Sequence, residues 1–348
     1  MPSRRARRTA GALLLALGIS ACSVAPQTRA LREGPPPDLP PSSELVRVPF
    51  FPQEDYQCGP AALATVLQHR GIGVTDQELV SEVYIPARRG SLQAEVVAAA
   101  RRRGMLVMPI EPRLDVLLTE VAAGNPVLVL QNLGLDWMPA WHYAVVVGYD
   151  LDTRELVLRS GTIERRVTAL TSFERTWERS AYWGIVVAPP DSVPVTARPL
   201  PFLEAANALE QTGQTIAARQ AYLSAHRRWP DNAIALIGLG NTEYVLGDAS
   251  ASARAFRRAT ELDPDSAQAW NNLGYALAAS GCAAAAREAA ACALRLAPDD
   301  PDVRDTWNEL NREGEDGPGC ERVRCPDAST GGMESPEELS VSEPSSRS

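Results

Sequence analysis

The spacing of apolar positions along this chain changes abruptly at several points, and each change separates segments of different character. The first apolar run, GALLLALGI, follows Arg4, Arg5, Arg7 and Arg8 and ends in Ser20-Ala21-Cys22. It is about half the roughly 20 residues that a spanning helix needs. Its order of charge, apolar run and small residues reads as a secretory signal over residues 1–21. Residues 22–43 hold APQTRALREGPPPDLPPSS, whose prolines favour an extended, hydrated linker. Between 44 and 188 the pattern mixes two periods. Val46, Val48 and Phe50 alternate with polar or turn residues, which predicts a short strand. Ala62, Leu63, Val66 and Leu67 form the stripe of a helix that begins at Cys58, tolerates Pro60 in its first turn and ends near Gly71. NPVLVLQN, WHYAVVVGYD and ELVLRSG are apolar runs of the kind that buried strands carry.

The prolines of APPDSVPVTARPLP break both periods and predict a linker at 189–201. Beyond it the chain repeats. Pro230, Pro264 and Pro298 stand 34 apart, as do Gly213, Gly247 and Gly281, and Ala225, Ala259 and Ala293. Trp270, Leu273, Gly274, Ala286, Ala293 and Pro298 sit where a tetratricopeptide repeat has them, so residues 202–311 resemble a small solenoid of such repeats. DPDVRDTWNEL supplies its capping helix. Such arrays bind extended peptides or partner proteins, or serve only to rigidify or dimerise a molecule. Residues 312–348 lack apolar periodicity and are expected to be a disordered acidic tail.

Composition narrows the function classes. The formal charge is −9 over 348 residues, and about −13 once the four arginines of the signal are removed, which excludes a nucleic-acid binder held by bulk charge. The chain has 3 His, widely separated, and no clustered Cys/His set, which disfavours a metal site. No phosphate-binding glycine loop of the P-loop type is present, so ATP hydrolysis is not expected, and no cofactor is implied. Cys282, Cys292, Cys320 and Cys325 are free to pair in an oxidising compartment, with connectivity left open.

The chemistry concentrates in residues 44–188. A cysteine at a helix N-terminus is expected to ionise more readily than a free thiol, the more so beside a protonated imidazole, and the thiolate is the attacking species. Cys58 has that place, and His142 stands at the start of a strand where it can serve as base. The signal ending in Cys22 is similar to that of bacterial lipoproteins; the resemblance implies lipidation of Cys22. With Ser23 next, it implies an outer-membrane anchor facing the periplasm.

The paired motifs QEDYQCGPAAL and WHYAVVVGYD, with GNPVLVL between them, resemble the bacteriocin-leader-processing, papain-like cysteine peptidases and their stand-alone relatives. The resemblance covers residues 46 to about 188. It implies an α+β papain-like peptidase domain followed by an all-α repeat solenoid, with Cys58 as nucleophile, His142 as general base and later acid, and Gln53 as donor to the oxyanion. Gln53 stands five residues before Cys58, where the family has six. The family also places an Asp on the strand after the His; here that position is Ser160, beside Arg159. The candidates for the third member are therefore Ser160 and, in the GYDLDT turn that follows the His142 strand, Asp150 or Asp152. Trp137, Trp141 and Tyr143 flank His142 and either wall a groove or pack in the core.

The expected function is a lipid-anchored envelope cysteine peptidase acting on a peptide or protein, with the repeats recruiting substrate or an envelope partner. Two alternatives stand beside it: a catalytically degenerate peptidase fold acting as a peptide-binding scaffold, and an amidase or acyltransferase on wall peptides using the same dyad.

Overall fold

In the computed structural model, which describes residues 25–53, 57–311 and 316–325, the three buried-strand sequences lie side by side. The strands are β1 (Ser42–Glu44), β2 (Tyr84–Ile85), β3 (Gly90–Ser91), β4 (Leu106–Pro109), β5 (Val127–Asn132), β6 (Trp141–Asp150), β7 (Glu155–Ser160), β8 (Ile163–Ala169) and β9 (Gly184–Ala188). One antiparallel sheet runs in the order β4-β9-β5-β6-β7-β8, and β1 pairs with the far end of β6. Strands β2 and β3 form a separate hairpin.

Because side chains alternate across a sheet, a continuous apolar run demands cover on both faces, and the structure supplies it. Helices α2 (Cys58–His69), α3 (Asp76–Val83) and α4 (Gln93–Arg101) cover one face, where Leu63, Leu67, Leu79 and Val96 meet Leu128, Val145 and Val147. Helices α5 (Leu114–Ala122) and α6 (Leu170–Glu178) cover the other, where Leu117, Leu118, Phe173 and Trp177 meet Val127, Ala144 and Val146. A bulge in β6 near Val146 and Gly148 lets β1 approach. A Cβ at Gly148 would stand 2.9 Å from the Ser43 carbonyl oxygen, so glycine is required there.

Two expectations for the start of the domain are corrected. Residues 46–48 form no strand but a turn, in which the Val48 N–H donates to the Leu45 carbonyl at 3.1 Å. Pro49 and Pro52 lack the N–H groups that a ladder needs. The Val46 and Val48 carbonyls instead accept from the buried Arg159 guanidinium. The segment 22–43 is likewise not simply an extended spacer, for it contains helix α1 (Pro26–Glu33), with Ala25, Thr28 and Leu31 buried. Its N-cap residue, Ala25, has no side chain that can cap it. The fully buried Glu174 does so from α6, accepting from the N–H groups of Gln27 at 2.8 Å and Thr28 at 2.6 Å. Those donors would otherwise be orphans of the first turn, and a carboxylate there also suits the helix dipole. The signal and Cys22 lie outside the described residues.

The remaining helices are α7 (Pro199–Gln211), α8 (Thr215–Arg228), α9 (Ala233–Val245), α10 (Ala249–Leu262), α11 (Ala267–Ala279), α12 (Ala283–Leu296) and α13 (Pro301–Leu310). The chain divides into two compact units, 1–246 and 247–348, so the division falls within the repeating sequence. In the first unit the segment before α7 is fixed to the sheet domain: the Thr196 N–H donates to the buried Glu120 at 2.8 Å, and Arg198 pairs with Glu111 at 3.0 Å. The expected linker at 189–201 thus runs into α7 and is partly anchored. Alanine and glycine let the hairpin helices close on one another, and Ala218, Ala221, Ala225 and Ala235 are wholly buried. In the second unit Trp270 is buried and donates through its indole N–H to the Pro264 carbonyl at 2.8 Å, which ties the repeat proline to the following helix.

The tail also departs from expectation. Within the residues expected to be disordered, 316–325 are held on the second unit by disulfides Cys282–Cys320 and Cys292–Cys325. Asp316 caps the first turn of α12 by accepting from the Ala284 N–H at 2.7 Å, and Val323 is buried. Two cross-links and one apolar side chain offset the entropy of a sequence too polar to fold by itself. Residues 326–348 lie outside the described residues. Among the described residues no helix is long and apolar enough to cross a membrane.

Two outcomes are expected. Glu174→Ala strips α1 of its cap and leaves two N–H groups unpaired, a loss of about 1–3 kcal/mol; trypsin should then cut after Arg29 or Arg32 faster than in the parent while the sheet domain stays folded. Alkylation of the unfolded, unreduced protein should label Cys58 but none of Cys282, Cys292, Cys320 and Cys325, and reduction should expose all four to mass analysis.

Candidate active site

Antiparallel pairing sets the site, because it lays the start of β6 against the end of β7. His142 is the second residue of β6, and Ser160, buried at 4% exposure, closes β7. The imidazole Nε2 and the Ser160 Oγ are 2.8 Å apart. Cys58 is the first residue of α2. It lines a cavity of about 1000 Å3 together with Gln53, Ser91, His142 and Tyr143, so the sulfur and the imidazole face one space. Gly59, next to Cys58, lets Ser91 of the cavity wall come close to the helix. A Cβ there would fall 2.3 Å from the Ser91 Oγ, so only glycine lets the β2–β3 hairpin pack on the helix N-terminus.

Gln53 is pinned from three directions. Its N–H donates to the Gly161 carbonyl at 3.0 Å, its Oε1 accepts from the Gly161 N–H at 2.9 Å, and its Nε2 donates to the Tyr143 carbonyl at 3.3 Å. An amide nitrogen carries two hydrogens, so one remains for a ligand in the cavity. Arg159 stabilises this arrangement from beneath by holding the 46–48 turn that leads into Gln53.

The electrostatics overturn the expectation of a readily ionised thiol. Burial pushes the Cys58 thiol up from its ordinary value, against the downward pull of the Tyr143, Gly59 and Cys58 N–H groups. Burial, followed by the positive charge of Arg166, lowers His142 to about 4. Both shifts favour the uncharged form. The resting pair is therefore thiol and neutral imidazole rather than thiolate and imidazolium, because no described carboxylate compensates the ring.

Of the candidates for the third position, the structure brings Ser160 to His142 and not Asp150, nor Asp152 in the turn beyond it. Asp150 ends the ten-residue β6 that His142 all but begins, pairs across to Glu155 and Ser42, and accepts from the Thr153 N–H at 2.8 Å in a local turn. That is the bonding a turn aspartate ordinarily makes, and the length of the strand rules it out as partner of the ring. Trp141 is 55% exposed and lines the cavity, whereas Tyr143 is buried, with its hydroxyl donating to the Ser91 carbonyl at 3.3 Å.

The sequence reading missed several wall residues. Arg88, Arg89 and Arg179 line the cavity with Ser91, whose buried Oγ has no hydrogen-bond partner among the described residues. Arg179 is fixed by two bonds from its guanidinium to the Asn132 carbonyl, at 3.1 and 2.9 Å. Arg89 holds a left-handed backbone at φ 46 in the hairpin turn, a strained conformation for a residue with a side chain. None of these positions has a periodic or motif signal, and only the folding of the hairpin over α2 brings them to the site. Among the described residues no group of three or more His, Cys, Asp or Glu is placed to hold a metal.

Comparison with known families agrees with this architecture. Residues 45–184 match the model of the Peptidase C39 like family, and residues 203–253 and 237–301 match that of the tetratricopeptide repeat. The chain thus carries a C39-like peptidase domain followed by tetratricopeptide repeats. Among solved structures it is similar to a putative C39-like peptidase from Bacillus anthracis, with 19% identity over 42% of this chain and 97% of that one and a TM-score of 0.36. It is also similar to the second TPR domain of human RPAP3 in complex with the HSP70 peptide SGPTIEEVD, with 15% identity over 32% and 93% and a TM-score of 0.31. A third similarity is to the type III secretion translocator chaperone SycD of Yersinia enterocolitica, with 14% identity over 32% and 76% and a TM-score of 0.30. A search of curated proteins finds no match.

The lowered His142 has a consequence for stability. An unfolded chain takes up a proton at an ordinary histidine value, near 6.5, while the folded protein resists protonation until about 4. Stability should therefore fall as pH drops from about 6.5 towards 4. Calorimetry across that range should show the fall in the parent protein and a shallower one in His142→Gln.

Proposed function

We propose that the protein is a cysteine peptidase of the cell envelope, in which Cys58 and His142 cleave a peptide bond through a thioester. What carries this reading is that the helix-borne thiol and the strand-borne imidazole line one cavity, with the Gln53 amide fixed beside them. Because Nε2 is engaged by Ser160, Nδ1 is the ring nitrogen left to take the thiol proton. From a neutral pair, proton transfer to His142 accompanies attack of the sulfur on the carbonyl carbon. The oxyanion is held by the second Gln53 amide hydrogen and the Cys58 N–H. His142 then gives its proton to the leaving amine, and water resolves the thioester with His142 again as base.

Three observations support the envelope reading: the signal-like N-terminus, Cys22 in the lipidation position, and two disulfides, which persist in oxidising compartments. The repeats recruit the substrate or an envelope partner by binding an extended segment. A second reading, a peptide-binding scaffold with a dormant site, is favoured by the absence of a described carboxylate at His142 and by the neutral resting pair.

Incubation of the mature protein with a peptide mixture should generate new amino termini that Cys58→Ala does not produce. Gln53→Ala should lower kcat about 10²–10³-fold. Binding of peptides by parent and Cys58→Ala alike, with no cleavage by either, would establish the scaffold. Alkylation of Cys58 by iodoacetamide should keep rising through pH 9 instead of levelling below neutrality. Ser160→Asp, which installs a carboxylate behind the ring, should move that rise to lower pH.

A further inference from the structure

The larger cavity in front of His142 has a smaller counterpart behind it, of about 220 Å3, bounded by β7, β8 and α6. Ser160, Arg166, Thr168, Ser172 and Thr176 contribute polar groups to its lining, and Leu158 and Phe173 are among its apolar residues. His142 and Gly161 line both cavities, so the two spaces adjoin at these residues. Among the described residues of this lining none is acidic. The volume is several times the roughly 30 Å3 that a water occupies in liquid, and the polar lining is one guanidinium among hydroxyls and the Gln131 amide, which donates to the Thr176 hydroxyl at 2.6 Å.

We propose that this rear cavity binds a small carboxylate, which pairs with Arg166 and accepts a hydrogen bond from Ser160, and thereby supplies the negative charge that the strand after His142 lacks. The inference rests on the peptidase reading for its purpose, though not for its site. A serine hydroxyl has one hydrogen and two lone pairs. With Nε2–H donating to it at 2.8 Å, the hydroxyl keeps its own hydrogen for an anion, so ring, hydroxyl and carboxylate form a relay. Ser160 itself is neutral and short, and its size is what leaves room for the guest. Arg166 is exposed at the cavity, and a guanidinium fork matches a carboxylate in geometry and charge.

The charged or titratable groups around the ring make the same point from each packed element. Cys58 comes from α2 and Arg166 from β8, Arg159 of β7 is turned to the Val46 and Val48 carbonyls, and Arg179 after α6 lies across the front cavity on the Asn132 carbonyl. Tyr143 of β6 and Arg88 and Arg89 of the covering hairpin also line the front cavity, so the groups described around the ring are cations, a thiol and a phenol, with no carboxylate among them. A water in the rear cavity would satisfy hydroxyls but would leave Arg166 facing the ring without compensation. A carboxylate removes that repulsion and stabilises the imidazolium formed when Cys58 gives up its proton, so site occupancy should accelerate thioester formation.

The direct test follows the His142 ring by nitrogen-15 NMR in Cys58→Ala protein while sodium formate or acetate replaces sodium chloride at constant ionic strength. The expected result is a rise of the His142 midpoint by about one pH unit, saturating with carboxylate, absent with chloride and lost in Arg166→Gln. In the parent protein acetate should raise the rate of Cys58 alkylation at neutral pH several-fold, and Ser160→Asp should make that rate indifferent to acetate. A peptide with an acidic side chain that shifts the midpoint without acetate would assign the carboxylate to the substrate; a response to acetate alone would assign it to a free effector. An unchanged midpoint, an equal response to chloride, or a response that survives in Arg166→Gln overturns the site. A saturating shift together with no peptide cleavage by the parent would overturn the peptidase reading and leave the site standing.

Discussion

The pairing of β6 with β7 is the constraint on which the site depends. Antiparallel register places the first residues of one strand beside the last of the other, and so fixes His142 against Ser160 without any loop having to hold them. The same ladder buries Arg159, whose guanidinium secures the turn before Gln53, and the next turn, at Gly161, holds Gln53 by its backbone N–H and its side-chain Oε1. Three of the groups assigned chemical roles are thus positioned from one hairpin. Cys58 arrives separately, on the helix packed over this face of the sheet, and Gly59 governs how closely the covering hairpin can approach it.

The balance of forces around the dyad runs against charge. A helix N-terminus and nearby backbone N–H groups favour a thiolate, but the enclosure that shields the cavity from water opposes it more strongly. With arginines as the charged groups described around the imidazole, the ring is driven the same way, toward neutrality. On the proposed peptidase reading, such a site works by moving a proton during attack rather than by storing an ion pair. Its reactivity is then set by whatever stabilises the cation transiently formed on the ring.

The sequence showed the central strands, the helix at Cys58 and the repeat period because each is a continuous physical signal: apolar runs covered on both faces, a stripe on one helix face, and prolines 34 residues apart. It also placed Cys58, His142 and Ser160, through paired motifs at strand and helix ends. Other features had no such signal. Alternation at Val46–Phe50 resembled a strand, yet Pro49 and Pro52 and the claims of Arg159 on the carbonyls decided otherwise. The cap that makes α1 a docked helix is a glutamate about 146 residues away. Arg166 and Arg179 reach the cavities only through tertiary folding, and burial, the dominant influence on the Cys58 thiol, cannot be read from its helical position alone.

The two cross-links of the tail give the carboxyl-terminal part of the chain an influence over its repeats. Cys282 and Cys292 lie at the start of α12 and within it, and their partners stand 38 and 33 residues further along the chain, so they are synthesised later. Until those partners arrive, the repeat carries two unmatched thiols. A chain clipped upstream of Cys320 would keep them indefinitely, available for mixed disulfides with neighbouring proteins. Oxidative completion of this repeat therefore waits on the segment that carries Cys320 and Cys325.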